Sequence, residues 1–269
     1  LALRIRHDVV HHGVHLFVIQ RLDIDAPHVT VYPYHRGQAR REVEVRSFVF
    51  DREGQQLCYV HIPQIMATIA RNLQAVRERI ATACARHGRE PSAVRLLAVS
   101  KTFGPEAVAE AAAAGQTAFG ENYVQEGLAK IAALREAGVT GLAWHCIGPL
   151  QRNKTRAVAE AFDWVQSVDR LQIAQRLSDQ RPAHLAPLNV CLQVNIDGAP
   201  TKAGVPPEEA LALARAVAAL PRLRLRGLMA IPDPAPDPDT ARAVFARVAA
   251  LFAEVRAALG NPVDFDTLS

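Results

Sequence analysis

The sequence predicts an α/β protein, a TIM-type (β/α)8 barrel that lacks its last strand. Three observations lead there. From residue 88 onward short apolar runs alternate with helical stretches, the pattern of βα units feeding a parallel sheet. The starts of the intervening helices are marked by Gly, Pro and acidic residues. The polar residues with chemical use fall just after the apolar runs, where barrels of this kind carry their ligand groups.

The first regular element is a helix, because Ile69, Leu73, Val76, Ile80 and Cys84 share one face and Gly88 ends it. Strands are expected over 95–100, 117–120, 142–147, 164–168, 189–196, 223–231 and 263–268. Pro105 after Gly104 opens a helix, as does Asp169 ahead of Arg-Leu-Gln-Ile-Ala. Pro206-Pro-Glu-Glu does the same ahead of a long Ala/Leu stripe. Asn153-Lys-Thr155 lacks the glycines of a phosphate loop and reads as a further helix start. The segment 232–238 is a loop, since its repeated prolines remove ladder donors and forbid a helix interior. The final helix runs from near Asp239 to Gly260, whose position suits a C-terminal cap.

Residues 1–65 differ in character. They hold seven of the ten histidines, no lysine and no methionine, and lack the helical periodicity that follows. Runs over 29–34 and 43–50 allow a small β-rich appendage. Weak alternation, Pro27 and Pro33, and the small size argue instead for a poorly ordered extension or a stretch translated ahead of a natural start at Met66. The expected organisation is therefore an extension over 1–65 and a barrel domain over 66–269.

Composition excludes several classes. A hydrophobic content of 49% with 22% charged residues is ordinary for a soluble globular chain. The net charge of +4 is modest and the arginines are scattered along amphipathic helices, so no nucleic-acid partner is expected. No stretch reaches the roughly 18 apolar residues of a membrane span, and none reads as a signal peptide. The four cysteines are far apart and carry no zinc spacing with histidine, so they read as small core residues in a reducing compartment. The cytoplasm is the expected location, and no metal is expected.

Lys101 is the leading candidate for chemistry. It stands at the end of the run Arg95-Leu-Leu-Ala-Val-Ser-Lys101, where a strand end offers an amine both partial desolvation and access to an aldehyde. Only four of the 31 basic residues are lysines, namely Lys101, Lys130, Lys154 and Lys202, so the chain nearly always writes Arg where a solvated cation suffices. A surface lysine is the competing reading. Other polar residues fall at the ends of later strands: Glu121-Asn122-Tyr123 after the second, His145 and Gly148-Pro149 closing the third, Asn195 and Lys202 after the fifth, Met229 ending the sixth.

Six segments, in order and spacing, resemble the pyridoxal phosphate homeostasis protein family. They are Leu96-Leu-Ala-Val-Ser-Lys-Thr102, Phe119-Gly-Glu-Asn-Tyr-Val-Gln-Glu126, Trp144-His-Cys-Ile-Gly-Pro-Leu-Gln-Arg-Asn-Lys154, Gln193-Val-Asn195, Arg226-Gly-Leu-Met-Ala-Ile-Pro232 and Asp266-Thr-Leu-Ser269. The resemblance implies a barrel of the alanine-racemase N-terminal-domain type that binds pyridoxal 5′-phosphate (PLP) without a catalytic cycle of its own. Lys101 would then hold the cofactor aldehyde as a Schiff base, and Asn122 would lie beside the ring. Met229 joins the cofactor-binding set. Lys202, in Thr201-Lys-Ala-Gly204, matches a second family lysine that handles the cofactor, although the family writes Ser where this chain has Thr201; a solvated loop cation is its competing reading. His145 either reaches the cofactor pocket or is a hydrogen-bonded core residue. PLP-requiring apo-enzymes are the partners the resemblance suggests.

Family members continue past the seventh strand with a Met-Gly-Met-Ser-type loop and an Arg-x-Gly-Thr strand that supply phosphate contacts, whereas this sequence stops at Ser269. The expectation is an incomplete chain with weakened cofactor affinity and reduced stability. Two enzyme readings compete. A PLP-dependent amino-acid racemase or decarboxylase on the same barrel needs an opposing acid/base, and Tyr123 is the only tyrosine beyond residue 66. A lysine aldolase needs its lysine on a later strand among acid/base carboxylates, while the strand ends here offer chiefly Glu121 and Asp197.

Overall fold

The computed structural model describes residues 63–199 and 202–269, and ahead of them four short strands, β1 (Val10–His11), β2 (Val14–His15), β3 (Phe48–Phe50) and β4 (Gln56–Cys58). The chain forms two compact units, Leu1–Thr68 and Ile69–Ser269. In the first, β1 pairs antiparallel with β2 and β3 with β4. The strand β3 lies within the expected 43–50 run; the 29–34 run lies outside the described residues, as does nearly all that bears on the nature of 1–65. The expected division at 65/66 falls inside α1 (Pro63–Arg86), whose Ile69 and Leu73 pack on the core of the second unit and whose Cys84 is buried.

The second unit is built on seven parallel strands: β5 (Ala98–Val99), β6 (Ala118–Glu121), β7 (Ala143–Cys146), β8 (Trp164–Val168), β9 (Leu188–Val194), β10 (Leu223–Ala230) and β11 (Thr267–Leu268). Their order across the sheet is their order along the chain. Six helices return the chain between them: α2 (Pro105–Ala113), α3 (Val124–Glu136), α4 (Thr155–Ala161), α5 (Leu171–Gln180), α6 (Ala210–Ala218) and α7 (Pro238–Ala258). All seven expected strands are present. The two at the edges are shorter than the apolar runs suggested, because each has a ladder partner on one side only among the described residues.

Alternation separates the two faces of the sheet. Phe119, Val165, Val190, Leu192 and Leu228 point to the helices and are fully buried against residues such as Val158, Leu177 and Val217. The other face is different in kind. Gly120, His145, Trp164 and Asn189 lie side by side in register across β6, β7, β8 and β9, giving the barrel interior an aromatic and polar layer. The α7 start is fixed by Asp237, whose carboxylate accepts from Asp239 N at 2.9 Å and Thr240 N at 2.8 Å; these bonds hold its acidity below the usual carboxylate range. Cys146 and Cys191 are free, buried thiols that burial pushes up to about 12, so they are chemically quiet core residues.

Gly227 explains why β11 can pair where it does. Its φ is +151°, at a register shift between Leu225 and Gly227, and a Cβ there would lie 1.8 Å from the Thr267 carbonyl oxygen. A Gly227→Ala substitution must displace β11 and strain the backbone, so it is expected to lower unfolding stability by at least about 2 kcal/mol. Urea unfolding measures this. A variant as stable as the parent would mean that β11 does not approach β10 so closely.

Candidate functional site

Lys101 follows β5 in a tight turn. Ser100 N still bonds to Gly120 O at 3.0 Å, extending the ladder by one residue, and Phe103 N then closes on Ser100 O at 3.1 Å. Between them Thr102 has φ +70°, a left-handed conformation that a β-branched residue adopts at a cost of about 1–3 kcal/mol. The turn lifts Lys101 clear of the ladder, and its side chain is exposed. The partial desolvation expected at this strand end is therefore not what distinguishes it, because β5 is an edge strand and the described residues leave the turn open. Its exposed place at a strand end, together with the lack of an ion pair among the described residues, does: Lys130 and Lys202 are each bonded to carboxylates, and Lys154, which forms no ion pair among the described residues either, lies just ahead of α4 and not at a strand end.

Directly behind the turn is a buried polar cluster. Glu121, at the end of β6, is 1% exposed, and Lys130, from the face of α3 that also carries Val124, Gly127 and Ile131, is 5% exposed. One carboxylate oxygen of Glu121 accepts from Lys130 Nζ at 2.7 Å and from Ser100 Oγ at 2.5 Å. Lys130 Nζ also donates to the Ser100 carbonyl at 2.7 Å. Gly127 lets α3 come this close, since a Cβ there would sit 2.7 Å from the Phe162 ring and 3.3 Å from Glu121 Cβ.

Asn122, half-buried, is the next residue along. Its backbone is clasped by Gly148: a Cβ at 148 would lie 2.2 Å from the Asn122 carbonyl oxygen. Ile147 N bonds to Glu121 O at 3.0 Å, so the ends of β6 and β7 advance together and set Asn122 beside the Ile147-Gly148 step. Met229 is buried near the end of β10, in register with Gln193 of β9. Asn195, just past β9, donates from Nδ2 to Ala199 O at 2.8 Å, while its buried Oδ1 has no donor among the described residues.

Lys202 belongs to the loops after β9 and β10. Its Nζ lies 2.7 Å from Asp197 and 2.8 Å from Asp233, and donates to Ile231 O at 3.1 Å. Donating first to Asp197 and then to Asp233 raises its affinity for the proton, and the bond to Asp197 holds that carboxyl below the usual carboxylate range. Lys202 is thus a protonated clasp between two loops, neither a bare surface cation nor a free nucleophile.

His145 sits lower. Val99, Gly120 and His145 are level across the sheet, two residues before Lys101 and Asn122, so the histidine is one inward-facing layer beneath the turn. It is 8% exposed, its Nδ1 is 3.0 Å from Gln166 Nε2, and its ring stacks on Trp164 at 5.1 Å. Gln166 in turn accepts from Ser269 Oγ at 2.7 Å. Burial, helped by the Arg95 charge, lowers the His145 pKa to about 4, so it is neutral near pH 7.

A pH effect on stability follows. The unfolded chain protonates this histidine near pH 6.5 and the folded one only near 4, so the folded state is favoured fully above 6.5 and loses that advantage as pH falls toward 4. The loss amounts to about 3 kcal/mol at most. A His145→Gln variant is expected to show a flatter decline in urea-unfolding free energy between pH 6.5 and 4; an unchanged slope would assign the decline to other groups.

Residues 71–266 match the alanine racemase N-terminal domain. The chain is 60% identical over 169 residues to the pyridoxal phosphate homeostasis protein of Escherichia coli K12, covering 63% of this chain and 72% of that one. It is 55% identical over 204 residues to the protein of the same name from Pseudomonas aeruginosa, covering 76% and 85%. The chain belongs to the pyridoxal phosphate homeostasis protein family. Among solved structures it is similar to PipY of Synechococcus elongatus PCC7942 with PLP bound, at 36% identity and a TM-score of 0.59 over 69% of this chain and 84% of that one. The family's fold is the one expected from the sequence, an alanine-racemase-type barrel of which this chain forms seven consecutive strands.

Three residues that sequence reasoning did not single out complete this site: Ser100, Lys130 and Gln166. Lys130 did leave a signal, a lone lysine on the apolar face of a helix in a chain that otherwise favours arginine. Ser100 and Gln166 left none, because a serine or glutamine at a strand position carries no periodic or spacing mark.

Proposed function

We propose that this chain binds PLP through Lys101 and serves as a non-catalytic reservoir in the supply of the cofactor. The observation that carries the reading is an exposed amine at a strand end, held in a strained turn and without an ion pair among the described residues, in a chain that is 55% identical over 204 residues to a protein named for pyridoxal phosphate homeostasis. Bound PLP supplies an aldehyde that condenses with a primary amine and a ring that withdraws electrons. The donor set fits the aldehyde and ring: a lysine with no ion pair among the described residues, an asparagine beside it fixed by Gly148, and, at the same end of the sheet, the Asn195 Oδ1, which has no donor among the described residues.

Each remaining residue has a defined task in this reading. Asn122 would hold the ring from one side, and Met229 would give it an apolar wall. Lys202 ties the loops after β9 and β10 together through Asp197 and Asp233, limiting the access of water. His145, neutral and bonded to Gln166, forms the floor. Racemisation needs an acid/base group facing the amine side of the ring, and Tyr123 is exposed at the start of α3. The partners of this role are PLP and the PLP-requiring apo-enzymes that receive it in the cytoplasm, with neither nucleic acid nor membrane. Among the described residues no helix is long and apolar enough to cross a membrane.

The test is chemical. Protein incubated with PLP, reduced with borohydride and mapped by mass spectrometry is expected to carry the pyridoxyl mass on Lys101. Mass on another lysine, or none, overturns the assignment, and sustained racemisation of amino acids by the loaded protein overturns the storage role.

A further inference from the structure

The cluster behind the turn is more elaborate than packing needs. A charged pair buried beneath a helix is no better for stability than an apolar pair of the same volume, and it is hard to desolvate. Here the pair is used to bind backbone. Lys130 Nζ reaches past the carboxylate to the Ser100 carbonyl, the same oxygen that Phe103 N uses to close the turn around Lys101 and Thr102. Glu121 holds the Ser100 hydroxyl from the other side. A left-handed threonine persists only where its surroundings leave the backbone no alternative, and these bonds supply that constraint one residue before Lys101.

The same carboxylate belongs to the residue before Asn122. One buried group therefore fixes the end of β5, with its amine, against the end of β6, with its amide, and Gly148 holds the far side of Asn122. We propose that Glu121 and Lys130 are positioning residues that set the Lys101 amine against Asn122 for attachment of the cofactor, acting through the hydroxyl and carbonyl of Ser100. The inference rests on the reading of Lys101 as the attachment point.

The test uses the E121Q/K130M double variant of the full chain, which removes the pair together and leaves no buried charge unmatched. Three measurements are needed: urea unfolding, hydrogen exchange at the Phe103 amide without cofactor, and PLP titration read by the visible absorption band and its pH midpoint. The expected result is cooperative unfolding at a midpoint near that of the parent, faster exchange at Phe103, PLP affinity at least about tenfold weaker, and a shifted band midpoint. A folded variant with parental exchange, affinity and midpoint overturns the proposal. A Ser100→Ala variant supplies a second route, since it removes one bond without touching either charge; it is expected to shift the band midpoint in the same direction, and a parental midpoint counts against the cluster. If the parent chain shows no adduct on Lys101, the attachment reading fails by itself, and exchange at Phe103 still decides whether the pair holds the turn.

Discussion

A Lys101→Arg variant is expected to yield no borohydride-trapped pyridoxyl adduct and to bind PLP on the order of 100-fold more weakly, about 2.7 kcal/mol. Arginine keeps the charge and most of the stem but offers no amine that condenses with an aldehyde. Since Lys101 is exposed and forms no ion pair among the described residues, the substitution leaves the core untouched and unfolding should be unaffected. Lys154 is the matched control. It too has no ion pair among the described residues, it lies just ahead of α4, and Lys154→Arg should leave both adduct and affinity unchanged. An adduct that survives in Lys101→Arg and disappears in Lys154→Arg would move the site to the segment just ahead of α4.

The largest stability effect is expected from Lys130→Met alone. It strands the Glu121 carboxylate, 1% exposed, with the Ser100 hydroxyl as its only remaining donor among the described residues. Breaking a buried pair from one side costs about 3–5 kcal/mol, because the surviving charge stays out of water without its partner. The urea midpoint should fall accordingly, while the E121Q/K130M double variant should recover most of the difference. A single variant that loses less than about 1 kcal/mol would show that water reaches the carboxylate and that the pair is not dry.

The strands and helices were largely legible in the sequence because each depends on local pattern. The run over 164–168 coincides with β8, and the last helix, expected from near Asp239 to Gly260, spans Pro238–Ala258. Lys101 and Asn122 were legible as strand-end residues for the same reason. Exposure was not. Whether a strand end is shielded depends on what lies on its far side, and β5 is an edge strand, so the desolvation argued for Lys101 from its apolar run did not hold. The status of Lys202 also required structure, since Asp197 is five residues away in sequence but Asp233 is 31 residues away, and only the folding of two loops together makes the lysine a clasp. His145 sits at a depth that register alone determines: one step of two residues separates the floor from the rim.

The seventh strand is attached in an unusual way. Its backbone ladder with β10 has two registered pairs, Gly227 with Thr267 and Leu228 with Leu268. Backbone bonds flank it, from Asp266 N to Arg226 O and from Ser269 N to Leu228 O, and Arg226, bonded to Asn189 at 3.1 Å and lying over the Trp164 ring at 4.9 Å, meets Asp266 at 2.6 Å. Asp266 is 47% exposed at its side chain, so dissolved ions reach this contact. Ionic strength should therefore act as a selective solvent for one margin of the sheet: in concentrated salt β11 would peel away first, with Arg226 released from Asp266, while the stack from β6 to β10 keeps its oily contacts.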